Sequence, residues 1–190
     1  MIELQLVTGM RPGEACRIRP CDIDTTGEVW VYRPRRHKGE HRGKLRAIAI
    51  GPKGRAVLER FAPADPADYY FSPRRTVAAL HLERTKARAT PRYASHMKRN
   101  AAKRTTAPKR PPAERYNSMS YAHAITRGCE KAGVDPWSPG QLRHTHGTEV
   151  RKRFGLEAAQ VVLGHARADT TEIYAEKNLS LAAKVAAEIG

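Results

Sequence analysis

The apolar positions of this chain switch between helical and strand spacing, and Gly and Pro mark where they switch. Met1 to Thr8 (MIELQLVT) reads as the last turns of a helix whose beginning is missing, ended by Gly9. Pro12 suits the first turn of a second helix, on which Ala15, Cys16 and Ile18 begin an apolar face. Val29 to Tyr32 and Leu45 to Ile50 read as two strands joined by the basic run RPRRHKGEHRGK, a β-hairpin with a charged tip. Lys53 to Phe61 is a short amphipathic helix with Val57, Leu58 and Phe61 at helical spacing. Tyr69 to Phe71 reads as a short buried strand or turn whose aromatic rings belong to a core. Arg74 to Lys86 has helical character. Ser118 to Ala132 is a helix with Ser118 or Ser120 as its cap and Gly133 as its stop. Ser138 and Pro139 are the N-cap and first position of the next helix, and Leu179 to Ile189 is the last. The expected class is α+β, mostly α, with a small antiparallel hairpin sheet near residues 29–50.

Residues 84–115 break this pattern. They hold eleven Lys and Arg against one acid, Glu114, with prolines at 91, 108, 111 and 112 and few large apolar side chains. Such a stretch cannot build a core, and the expectation is a mobile basic insertion able to follow a phosphate backbone. The whole chain of 190 residues has a formal net charge of +16, far from an ordinary metabolic enzyme. That excess points to a polyanion, with nucleic acid as the default partner. The three cysteines, Cys16, Cys21 and Cys129, form no CxxC pair and fit a reducing compartment. No signal peptide and no apolar run of spanning length is visible, so a cytoplasmic, nucleoid-associated protein without membrane contact is expected.

The chemistry concentrates in SPGQLRHTHGTEVRKRFGLEAAQVVLGHARADTTEIYAEKN, residues 138–178. It carries Arg143 followed by His144, an isolated His165 after Leu163-Gly164, and Tyr174 nine residues later. A guanidinium, an imidazole and a phenol on short helices joined by Gly turns are the parts that grip a phosphate and attack it with oxygen. On a helix starting at Ser138, positions 140, 143, 144 and 147 share a face, so Arg143 projects beside Gly140. A zinc site built on His144, His146 and His165 lacks a completing Cys or carboxylate at ligand spacing, and neither metal nor cofactor is expected.

The pattern L-R-H-T, then L-G-H, then T-T-x-x-Y resembles the C-terminal box of the tyrosine recombinases, the phage integrase family. TGMRPGEACRI resembles the family's first arginine box, which assigns a catalytic arginine to Arg11 and a nearby glutamate to Glu14. The resemblance implies that Arg11 and Arg143 clamp the scissile phosphate, Tyr174 attacks it, and His165 bonds a phosphate or tyrosine oxygen. A hairpin lysine then protonates the leaving 5′ oxygen. The H-K-G run makes this Lys38, with Lys44 as the other candidate, while Arg35, Arg36, Lys44 and Arg46 serve as phosphate contacts of the hairpin. A homo-oligomer, a tetramer on synapsed DNA, is implied, with the last helix docking on a neighbouring protomer or packing on its own domain.

Two departures stand out. Relatives carry His three residues before the second arginine, where this chain has Gly140. The family's N-terminal core-binding domain is also not found, so residues 1–190 read as a catalytic domain alone. The expected function is site-specific DNA recombination or integration by a mobile-element recombinase through a 3′-phosphotyrosine. The alternative is a catalytically weak or inactive DNA-binding remnant; a topoisomerase-like relaxing enzyme would share the chemistry.

Overall fold

The computed structural model describes residues 1–36, 45–91, 93–104, 111–164 and 182–189. These fall into two units, residues 1–71 with 116–190, and residues 72–115.

The larger unit begins with helix α1 (Ile2–Thr8). Gly9 closes it at φ 63, and its N–H bonds to the Gln5 carbonyl. A Cβ at Gly9 would lie 2.5 Å from Cδ2 of His146, so both the backbone angle and the close approach require glycine. Helix α2 (Pro12–Ala15) follows, with Pro12 at its first turn and Arg11 as N-cap. The two expected strands are present as β2 (Trp30–Tyr32) and β3 (Ile48–Ile50), antiparallel, with Tyr32 opposite Ile48 and Trp30 opposite Ile50. A strand the periodicity does not reveal, β1 (Ile23–Asp24), adds to β2 and gives the order β1-β2-β3. Two residues are too few to show alternation, which is why β1 is silent in the pattern.

Side chains alternate across β3: Ile48 and Ile50 are buried, and Ala49 between them is half-buried. With Tyr32 they join Leu4, Met10, Ala15, Ile18, Val57, Leu58, Tyr70 and Phe71 in the main core. Tyr70 and Phe71 are core side chains, as expected, although residues 69–71 form a bend and not a strand. Helix α3 (Pro52–Arg60) lays Val57 and Leu58 on this core. The Tyr32 hydroxyl donates to the Glu14 carbonyl at 3.3 Å, which ties the sheet to α2.

Helix α6 (Ser118–Ala132) is capped by Asn117, whose side chain accepts the Ser120 N–H at 2.7 Å. Ser120 is therefore the third residue of a capping box and not the cap itself. Gly133 ends the helix in the left-handed region at φ 66. Helix α7 (Pro139–Leu163) starts as expected at Ser138-Pro139 and is broken at Gly155, φ 86 and ψ 178. A Cβ at Gly147 would meet Cδ1 of Leu163 at 2.7 Å, so the second part of α7 packs back on the first. The last described helix, α8 (182–189), places Val185 against Val150, Ala158 and Ala159 of the same chain.

The smaller unit contains helices α4 (Pro73–Lys86) and α5 (Ala94–Lys103). Ser72 caps α4 by accepting the Arg75 N–H. Neither helix buries a residue, consistent with a segment that cannot form a core. The sequence pattern offers no element over 94–103; the helix there forms because Ala, Met, Lys and Arg are good helix formers even where they have nothing to bury.

Candidate phosphate-binding site

The first arginine box and helix α7 meet at a cluster of charged side chains. Arg11 caps α2, and Glu14 sits three residues on. The Arg11 backbone N–H donates to Glu14 Oε2 at 2.6 Å, and its Nη1 donates to Oε1 at 3.0 Å. Glu14 is 3% exposed and Arg11 is 31% exposed, so the carboxylate is sealed beneath a guanidinium that still reaches solvent.

Arg143 is buried at 9% exposure on the inner face of α7, with Leu142, His146, Gly147 and Val150. Its Nη1 donates to the Gly9 carbonyl at 2.7 Å, and its Nη2 donates to the Leu163 carbonyl. The first bond anchors it to the loop after α1, the second to the end of its own broken helix. Burial, then repulsion from Arg11 and Arg46, lowers its pKa to about 10, which leaves it charged at neutral pH.

Arg46 is the residue whose position departs most from expectation. The basic run predicts a surface phosphate contact beside Arg35 and Arg36, yet Arg46 is only 8% exposed. Its Nε stands 3.5 Å from Glu14 Oε1, and its Nη1 donates to the Val162 carbonyl at 3.4 Å. The segment leading into β3 keeps the every-other-residue burial of the strand: 46, 48 and 50 are buried, and 47 and 49 are only half-buried. The neighbouring basic residues hide this signal. Burial pulls the pKa of Arg46 down, opposed chiefly by Glu14. Arg35 and Arg36 are exposed; Arg35 pairs with Asp22 at 2.7 Å.

His146 is a second structural residue that the motif pattern does not reveal. Its Nδ1 donates to the Leu6 carbonyl at 2.7 Å, and burial pushes its pKa below the ordinary value. The helical spacing 142, 143, 146, 147, 150 is the signal that finds it. His144, expected on the Arg143 face, is exposed, because α7 turns its Leu142 side and not its His144 side inward. Gly140 is half-buried one turn before Arg143, and a Cβ there would meet only Ser138 Oγ, at 3.7 Å. Buried Gln5 donates from Nε2 to the carbonyls of Met10 at 3.0 Å and Pro139 at 3.4 Å, joining α1 to both arginine-bearing segments. Lys38, Lys44, His165 and Tyr174 lie outside the described residues.

The arrangement therefore joins Arg11, Arg46 and Arg143 around one carboxylate, Glu14, leaving an excess of positive charge at the head of α2. Such a cluster favours an anion with several oxygens over a neutral ligand.

The chain belongs to the phage integrase family, the tyrosine recombinases, whose family model matches residues 1–180. Its fold is similar to that of the Tn1549 transposon integrase. One such structure, in complex with transposon right end DNA, matches at TM-score 0.51 and 16% identity over 94% of this chain and 56% of that chain. Another, with a circular intermediate DNA, matches at TM-score 0.50 and 16% identity over the same shares, 94% and 56%. The XerH site-specific recombinase bound to its difH substrate matches at TM-score 0.48 and 16% identity, over 94% of this chain and 41% of that one. This chain thus spans about half the length of the solved structures it resembles. No curated protein sequence matches it.

Proposed function

We propose that this chain is the catalytic domain of a site-specific DNA recombinase or integrase of a mobile element, which cuts and rejoins double-stranded DNA without metal or cofactor. The observation that carries this reading is the joining of Arg11 and Arg143 at the Gly9–Glu14 segment, one by the Glu14 carboxylate and the other by the Gly9 carbonyl. Two guanidiniums at one place match the negative charge of a scissile phosphate and the added charge of its pentacoordinate transition state. Removing one donor of this kind typically costs about 3–4 kcal/mol of transition-state stabilisation.

In the reaction, the Tyr174 phenol gives up its proton to solvent, its oxygen bonds to phosphorus and the bond to the 5′ oxygen breaks. Lys38 gives the departing 5′ oxygen its proton, and His165 bonds a phosphate or tyrosine oxygen. The product is a 3′-phosphotyrosine, which conserves the phosphodiester energy for rejoining. Arg35, Arg36 and Lys44 neutralise flanking phosphates. Residues 84–115 supply further phosphate contacts, and a homo-oligomer, a tetramer in the full reaction, assembles on synapsed DNA. The solved Tn1549 integrases hold DNA, which supports DNA as the partner.

Gly140 favours a second reading, a DNA-binding remnant with weak turnover, because glycine supplies no donor or acid–base group one turn before Arg143. A pool of nicked duplexes of randomised sequence separates the two. A denaturation-resistant protein–DNA adduct supports the enzyme, and binding without adduct supports the remnant.

A further inference from the structure

Arg46 is not used by the chemistry described above, yet it is one of the most deeply buried charges among the described residues. Holding a guanidinium out of water is costly unless its partners are fixed. Its partners come from two distant segments. Glu14, on α2, is the residue that holds Arg11. Val162 is on the last turn of α7, two residues before Gly164. Gly164 caps that helix at φ 60, and a Cβ there would collide with Arg46 Nη1 and fall 3.0 Å from Cζ. The backbone of the turn therefore lies directly against the guanidinium, and the next residue along the chain is His165.

We propose that Arg46 is a positioning residue for phosphate cleavage: it holds Glu14, and through it Arg11, and fixes the Val162–Gly164 turn from which the chain runs on to His165. Arg143 spans the same two segments through Gly9 and Leu163, so the two buried guanidiniums act as parallel struts across the site. Glu14 thus has two cationic neighbours with different tasks. Arg11 is part-exposed, open to a phosphate from solvent; Arg46 is sealed and sets where the carboxylate stands. Lysine is a poor replacement, because one ammonium cannot serve a carboxylate on one side and a carbonyl on the other with fixed geometry. The competing role is direct phosphate contact, since Nε and Nη2 make no hydrogen bond among the described residues.

The proposal rests on the recombinase reading, and the test keeps the two apart. Wild type, Arg46→Met, Glu14→Gln and the double variant are compared in full-chain form on the nicked-duplex pool, with Arg46→Lys standing in if the Met form does not fold. Arg46→Met should lower single-turnover adduct formation at saturating DNA by roughly 10²-fold, the scale of a displaced reacting group. Affinity and its salt slope should stay unchanged. In the Glu14→Gln background the same substitution should cost less than about 3-fold, because the charge it holds is gone. A salt slope reduced by about one phosphate with loss of affinity would assign Arg46 to DNA contact and overturn the proposal. So would effects of the two substitutions that simply multiply. Thermal unfolding of the four forms reads the Arg46–Glu14 coupling independently of cleavage. Coupling there without any wild-type adduct refutes the recombinase reading, and with it the part in cleavage, while leaving the Arg46–Glu14 pairing; additive unfolding shifts refute the pairing itself.

Discussion

His146 shows how a single side chain can couple stability to pH. Its ring fills the space that the missing Cβ of Gly9 leaves, and its Nε2 is buried without a hydrogen bond among the described residues. Burial, the dominant cause, lowers its folded pKa below the ordinary value of about 6.5, with the charge of Arg143 adding to it. The unfolded chain then binds the proton more readily than the folded one. The contribution is therefore fully present above about pH 6.5 and is lost as pH falls below that, through the folded value. Urea midpoints at pH 7.5 and 5.5 should show this loss in the wild type and a clearly smaller loss in His146→Gln. An equal loss in both would place the acid sensitivity elsewhere. Arg46 and His146 share a lesson about reading single residues. A polar side chain at a core-facing position is invisible if polarity alone is used. The period of its neighbours, 46-48-50 running into β3 and 142-143-146-147-150 on α7, reveals both.

At the scale of elements, the legible features are those set by local chemistry. Gly9 and Gly133 end helices, and Ser138-Pro139 opens one, because φ > 0 and the missing proline N–H act within a few residues. The hairpin pairing of β2 with β3 is legible from its two apolar runs. What sequence spacing does not show is tertiary in origin: the two-residue β1, recruited by pairing with β2, and the break inside α7. At Gly155 the chain takes φ 86 and ψ 178, a region essentially reserved for glycine, and no atom lies within 4 Å of where a Cβ would stand to add a clash. Gly155→Ala should therefore destabilise through the backbone alone, by about 1–3 kcal/mol, outweighing the roughly 0.4–1 kcal/mol that a less flexible unfolded chain returns. Denaturant unfolding checks it. Unchanged or raised stability would mean that the break does not need glycine. The break matters to the site because it returns Leu163 to Gly147 and so offers its carbonyl to Arg143.

For the whole molecule, the net charge of +16 and the arginine cluster point the same way. Among the described residues no helix is long and apolar enough to cross a membrane. If Arg35, Arg36 and the basic helices α4 and α5 supply the phosphate contacts, each contact releases counterions on binding. With about 6–10 such contacts, affinity for a mixed-sequence duplex should fall by roughly 10³–10⁵-fold between 50 and 200 mM salt. A flat salt titration would show that the basic excess serves something other than DNA. Both arginine-bearing runs, around Arg11 and Arg143, are readable in the sequence, because each is short and contiguous. Their convergence is not, since it depends on α1, α2 and the end of α7 meeting through Gln5, Arg46 and Arg143.

The central claim is that this cluster serves attack on a phosphate by Tyr174. The most direct measurement compares wild type with Tyr174→Phe on the nicked-duplex pool, scoring both DNA retention and denaturation-resistant adduct. The account predicts equal retention, an adduct with wild type only, and a cross-linked peptide containing Tyr174. An adduct that persists in the Phe form, or that maps to another side chain, would contradict it.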